Sequence, residues 1–229
     1  SGWEGGQFSG VRRLLYSQQS VFIGVGGWIG PMALEAATRS HNVFVFEPHP
    51  KAFAELEANF QLNPTIAHRV HLSNLCIDPV PGNQTLYGSD DSEARLASVK
   101  GGVKHSSGVL HSTLTPTAVR CVTWDEALAK FHMDVSPQLP VVVNVDTEGN
   151  EWALVPSMKA WIAARHVKPS LIIGIHGKPP SQAAMDAVMD VLSMYDYVYN
   201  GEGGGGLCAS CSLCEFCTVY ATDTPAEQL

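Results

Sequence analysis

Two apolar segments, far apart in the chain, constrain the fold more than anything else in the sequence. The first is VFIGVGGWIG at residues 21–30, followed by VFVFEPHP at 43–50; the second is VVVNVDTEGNEW at 141–152. Each run ends abruptly in glycine or carboxylate. Continuous apolar runs of this kind mark strands buried on both faces of a parallel sheet, and the polar groups that end them fall at the sheet's edge. One edge thus receives both a glycine-lined turn and an acidic cluster.

The rest of the chain alternates in the same sense. Strands are expected at 20–24, 42–46, 70–77, 141–145 and 170–175, with shorter ones at 84–87 and 118–123. Helices are expected at 11–17, 31–39, 50–62, 124–131, 151–164 and 181–194. Pro31 suits a first helical turn. Phe53, Leu56 and Phe60 recur at helical spacing before Asn63-Pro64 stops the run, and Ser181 opens the last helix. Strands alternating with helices imply βαβ crossovers and a doubly wound α/β sheet covered on both faces. The runs at 197–199 and 217–221 have no helix between them, which implies an antiparallel final strand. The whole chain, 1–229, reads as one domain. Residues 88–117, polar and rich in Ser, Gly and His, read as a lid or acceptor loop carrying His105 and His111. Residues 201–217 form a Gly- and Cys-rich loop.

A net charge of −8 argues against a nucleic-acid partner, which favours a basic face. No apolar run approaches the roughly 20 residues that span a bilayer. The sequence opens Ser1-Gly2 with no Met and no signal-like run. That reads as a trimmed start to a soluble domain, leaving room for an upstream targeting or membrane segment. Compartment and oligomeric state are not written in the sequence. Two isolated cysteines, Cys76 and Cys121, read as buried thiols.

Gly24, Gly26, Gly27 and Gly30 lie between a strand and a helix, where glycine lets the backbone turn sharply against a ligand. Glu47 ends the next strand, where a carboxylate can accept hydrogen bonds from both hydroxyls of an adenosine ribose. The motifs downstream of Glu47 narrow the choice of cofactor. Phe46-Glu47-Pro48 leads into PHPKAFAELEANFQLNP; then come NLCID at 74–78, VTWD at 122–125, VDTEGNE at 145–151 and IGIH at 173–176. In this order the motifs resemble the FkbM-type S-adenosylmethionine-dependent methyltransferases, over about residues 20 to 200. The resemblance implies a class I, Rossmann-like, mostly parallel seven-stranded sheet and methyl transfer from S-adenosylmethionine. The implied acceptor is a hydroxyl of a sugar, glycan or natural product. It places Gly24, Gly26, Gly30 and Glu47 on the cofactor, with Asn74 or Asp78 near its adenine. Four positions depart from the family pattern. Gly24 and Gly174 stand where it has carboxylates, Trp28 where it has Asn, and Asn144 where it has Lys.

Asp146 and Glu148 are two residues apart at the end of a buried strand, so an extended chain turns both the same way. Glu151 opens the following helix, where a carboxylate suits the dipole. Methyl transfer needs in-line alignment, and a hydroxyl acceptor must also lose a proton. His176, Asp146 and Glu148 are the catalytic candidates, with His176 favoured by its ordinary near-neutral pKa. The same three side chains form a set able to hold a hard divalent ion.

Cys208, Cys211, Cys214 and Cys217 recur every third residue and resemble the close ligand runs of zinc and iron–sulfur sites; disulfides or free thiols are the competing readings. Two other functions remain open. Gly24 and Gly174 suit a non-catalytic binding module on this fold, and the spacing of Gly24, Gly26 and Gly30 loosely fits a nicotinamide oxidoreductase.

Overall fold

The computed structural model describes residues 5–15, 19–88, 115–131, 138–201 and 216–225. A seven-stranded sheet runs through the molecule. Its strands are β1 (Val21–Val25), β2 (Asn42–Phe46), β3 (Val70–Ser73), β7 (Val141–Val145), β8 (Ser170–His176), β9 (Tyr197–Asn200) and β10 (Phe216–Thr222). They lie in the order β3-β2-β1-β7-β8-β10-β9. The first five are parallel, and β10 pairs antiparallel with both β8 and β9. A second sheet of β4 (Cys76–Ile77), β5 (Gly82–Gly88) and β6 (Thr115–Val122) sits beside it.

Side chains alternate along each strand and so feed two cores. Val21, Ile23, Val25, Val143, Val145 and Ile173 point to one face. There they meet α5 (Trp124–Lys130), α6 (Glu151–Ser157), α7 (Lys159–Ala163) and α8 (Gln182–Leu192). Phe22, Val43, Val45, Val142 and Ile172 point to the other face. They meet α1 (Gly5–Leu14), α2 (Pro31–Ala37) and α3 (Pro50–Gln61), while the short α4 (Pro64–Ala67) follows α3. Burial on both faces is why the strands read as unbroken apolar runs. The α3 stripe is Ala52, Leu56 and Phe60, with Pro50 in its first turn and the His49 ring accepting from the Ala52 N–H.

The strand expected at 70–77 is two strands in two sheets. Asn74 donates to the carbonyls of Glu47 and Pro48, and this bends the chain away from β2. The helix expected at 151–164 is likewise two helices meeting at Met158. Pro156 has no amide hydrogen to continue the ladder, and the Met158 N–H turns to Val155 O three residues back. None of the described helices is long and apolar enough to cross a membrane.

Cys76 and Cys121 are not thiols. They face each other in register on β4 and β6 and form a disulfide across 45 residues of sequence. Closing a loop of that length removes freedom from the unfolded chain worth about 2–4 kcal/mol. A paired Cys76→Ser/Cys121→Ser change is therefore expected to lower the urea midpoint by that equivalent. An unchanged midpoint would show that the β4–β6 pairing persists without the covalent link. Cys217 is also disulfide-bonded, which removes its thiolate from the metal set expected at Cys208, Cys211, Cys214 and Cys217. The other three cysteines of that run lie outside the described residues, as does most of the 88–117 loop.

Candidate active site

The carboxyl ends of β1, β2 and β7 open into one cleft, lined among others by Gly24, Gly26, Trp28, Glu47, Asp146 and Glu148. Its floor is the turn after β1. Gly26 and Gly27 both donate to Phe46 O at 3.0 Å, so the turn is bound to the end of β2. Gly26 has φ 82, and a Cβ there would fall 1.7 Å from Asp146 O. Only glycine lets β1 and β7 leave the sheet this close together. Asn59 of α3 holds the far side of the turn through Ile29 O at 2.8 Å. Gly30, with φ 99, covers Leu56 and leads into α2.

Glu47 lies at the bottom of this wall and is only 6 % exposed. Its Oε2 accepts from the Trp28 N–H and its Oε1 from the His49 N–H, each at 2.7 Å. Burial pushes the Glu47 carboxyl from 4.5 up to about 7, against those two backbone donors and with the Asp146 charge adding to the rise. Trp28 has φ 45 and its half-buried indole forms part of the wall. Gly24 also lines the cleft, and the Phe22 ring, 3.1 Å from where its Cβ would be, covers the space beside it.

Asn74 and Asp78 stand off the lining. Asn74 is occupied with the Glu47 and Pro48 carbonyls. Asp78 accepts from the Val80 N–H and from Asn150 Nδ2 at 2.8 and 3.0 Å, bracing the second sheet against the loop after β7. The lining there is Leu75, Cys76 and Ile77 instead. Their apolar run after Asn74 was the signal available in the sequence.

Asp146, Glu148 and His176 come together at the ends of β7 and β8. His176 Nε2 is 3.4 Å from Asp146 Oδ1 and 3.8 Å from Glu148 Oε1, and Nδ1 is 3.3 Å from Glu151 Oε1. Glu151, fully buried, also accepts from the Thr147 N–H, the Thr147 hydroxyl and the Gly149 N–H. It folds the loop that carries Glu148, whose φ is 54. Gln7 of α1, which the sequence did not single out, donates to Asp146 Oδ2 at 2.8 Å. Its amide lies 2.9 Å from where a Gly174 Cβ would be, so the helix fills the room that glycine leaves on β8.

The charges of this group bear on the role expected of His176. Burial disfavours a charged imidazole, but the Glu151 hydrogen bond and the Asp146, Glu151 and Glu148 charges outweigh it. Together they raise His176 to about 10. That direction favours the imidazolium and weighs against the base role expected of His176. Burial pushes Glu148 up to about 7, against the His176 charge and with Asp146 and Glu151 adding to the rise. Burial also raises Asp146, against His176 and Gln7. Of this group, Glu148 is the carboxyl placed to take a proton near neutrality.

The FkbM methyltransferase of Methylobacillus flagellatus KT shares this fold with a TM-score of 0.51 at 14% identity, over 90% of this chain and 44% of that one. This chain thus spans less than half the length of that neighbour. The precorrin-6y C5,15-methyltransferase of Geobacter metallireducens GS-15 aligns at 0.46 and 10% identity, over 95% and 87% of the two chains. The SAM-dependent O-methyltransferase TM0748 of Thermotoga maritima aligns at 0.43 and 10%, over 97% and 65%. No family model matches the sequence, and no curated protein sequence matches it. The architecture is the Rossmann-like α/β fold of class I methyltransferases, with a mostly parallel seven-stranded sheet and an antiparallel end.

Proposed function

We propose that this chain is an S-adenosylmethionine-dependent methyltransferase acting on a hydroxyl of a small molecule or glycan. One observation carries the reading: a buried glutamate at the end of β2 faces the same cleft as a glycine turn that no side chain can enter. Glu47 would hold the ribose hydroxyls, and the Gly24–Gly26 backbone would run beneath the cofactor. Leu75, Cys76 and Ile77 would flank its adenine. The acceptor would enter beside Asp146, Glu148 and His176, where Glu148 would take its proton and the charged His176 would orient the carboxylates. The leaving sulfonium is already activated, so alignment does most of the work. The antiparallel β10 between β8 and β9 weighs against the nicotinamide reading, because the dinucleotide fold continues its sheet in the order 3-2-1-4-5-6.

Calorimetry with S-adenosylhomocysteine tests this. Saturable binding is expected, weakened at least about 100-fold in Glu47→Ala through loss of two charge-assisted hydrogen bonds. A ligand that needs the Glu47 carboxylate must displace its proton below pH 7. Affinity should thus fall about tenfold per pH unit from 7 downward and level off above it. No heat at millimolar ligand would favour the non-catalytic module. Binding indifferent to Glu47 would remove the cofactor assignment.

A further inference from the structure

Beside the stretch of cleft wall that Asp146 and Glu148 form, these two and Glu151 surround one imidazole, and no lysine or arginine is among the described residues that line the cleft. One ligand atom each from Asp146, Glu148 and His176 lies within 4.8 Å of the other two. Nitrogen and oxygen ligands bonded at about 2.1 Å to one ion sit roughly 3–3.5 Å apart, so a small contraction closes the set. Behind it, His176 Nδ1 meets the buried Glu151 carboxylate. A carboxylate on the far nitrogen is how proteins fix the tautomer that offers Nε2 to a metal.

Two further observations concern the same cleft wall. Asp146 Oδ1 and Glu148 Oε2 are buried without a hydrogen bond. Asn144, 2 % exposed, precedes Asp146 by two residues on the same face of β7, lines the cleft, and leaves its Oδ1 unpartnered. Buried polar atoms are normally satisfied, so Glu148 Oε2 and Asn144 Oδ1, with Asp146 Oδ1 held only by its ion pair to His176 Nε2 at 3.4 Å, together call for a ligand. Glu148 holds its carboxylate there from a left-handed backbone, a conformation proteins keep mainly at functional sites.

We propose that Asp146, Glu148 and His176 bind one divalent cation of the first transition row, with His176 bonded through Nε2 and oriented by Glu151. One imidazole with two carboxylates suits Mn²⁺, Fe²⁺ or Zn²⁺ better than the hard ion that two carboxylates alone suggest. On binding, His176 releases its Nε2 proton to solvent and keeps the Nδ1 proton on Glu151. With the ion bound, polarising the acceptor oxygen would replace the proton-accepting role of Glu148 and the charge on His176; that part rests on the methyltransferase reading, and the ion's binding does not.

The test uses chelator-treated protein with free thiols alkylated. Mn²⁺ and Zn²⁺ are titrated by calorimetry, and Co²⁺ by visible absorption. One ion per chain is expected. Asp146→Asn or His176→Gln should weaken it at least about 100-fold and Glu151→Gln about 10- to 100-fold, while the surface change His68→Gln leaves it intact. Should His176→Gln fail to fold, the Co²⁺ spectrum of the unaltered protein decides: ligand-field bands without a thiolate charge-transfer band support the site. No binding at millimolar ion, a thiolate band, or binding that survives His176→Gln overturns it. S-adenosylhomocysteine is titrated into the same samples, so loss of the cofactor reading and loss of the metal site register separately.

Discussion

Replacing Gly26 with alanine is expected to destabilise the protein by on the order of 4 kcal/mol or more and to abolish S-adenosylhomocysteine binding in any folded fraction. The added Cβ would lie 1.7 Å from Asp146 O and 2.7 Å from Asp146 C. Neither side can give way cheaply. The Gly26 N–H is bound to Phe46 O, and the Asp146 N–H to Val25 O at 2.9 Å. Moving either strand end breaks sheet hydrogen bonds in the middle of the molecule. Gly82 is the control: its φ is 115, yet nothing lies within 4 Å of its Cβ position. Gly82→Ala should cost only the backbone strain, about 1–2 kcal/mol. Thermal melts of the two variants separate strain from collision. A Gly26→Ala protein melting within a few degrees of the parent would mean that β1 and β7 do not approach as described.

The same contact shows what the sequence could and could not reveal. Strands buried on both faces write themselves as apolar runs, so β1, β2, β7 and β8 and their common edge were legible, and Glu47 and Asp146 with them. The α3 stripe was legible because its period belongs to one helix. Features set by partners distant in sequence were not. The break between β3 and β4 depends on Asn74 reaching the Glu47 and Pro48 carbonyls, and nothing local to 70–77 announces it. Gln7 is one polar residue on a short helix, and its role exists only because Gly174 leaves room beside Asp146. Cys76 and Cys121 looked isolated because their pairing belongs to the second sheet. The position of His176 at the end of β8 was legible, yet its charge follows from three acids contributed by another segment.

Glu151→Ala is expected to cost about 3–5 kcal/mol, well above the effect of Glu151→Gln. The reason lies in what the alanine leaves behind. The Thr147 and Gly149 N–H groups, the Thr147 hydroxyl and His176 Nδ1 all turn on this one carboxylate, which has no exposure to solvent. Removing it strands those donors inside the protein, at about 1–3 kcal/mol for each one left unsatisfied. Glutamine keeps an acceptor oxygen but turns a donor toward part of the set, so its loss should be smaller. The loop after β7 also holds Glu148 at φ 54 and Gly149 at φ 111. A non-glycine residue stays in that region only where its surroundings over-determine it, and here Glu151 is the group that does so. In Glu151→Ala the loop is free to relax, which should carry the Glu148 carboxylate away from His176 and Asp146. Amide exchange at Thr147 and Gly149 reads this directly: both should lose protection in Glu151→Ala while the β7 amides of Val143 and Val145 keep theirs. If instead the two loop amides remain protected, the loop is shaped by its backbone alone, and Glu151 cannot be what aims the neighbouring acids at the imidazole.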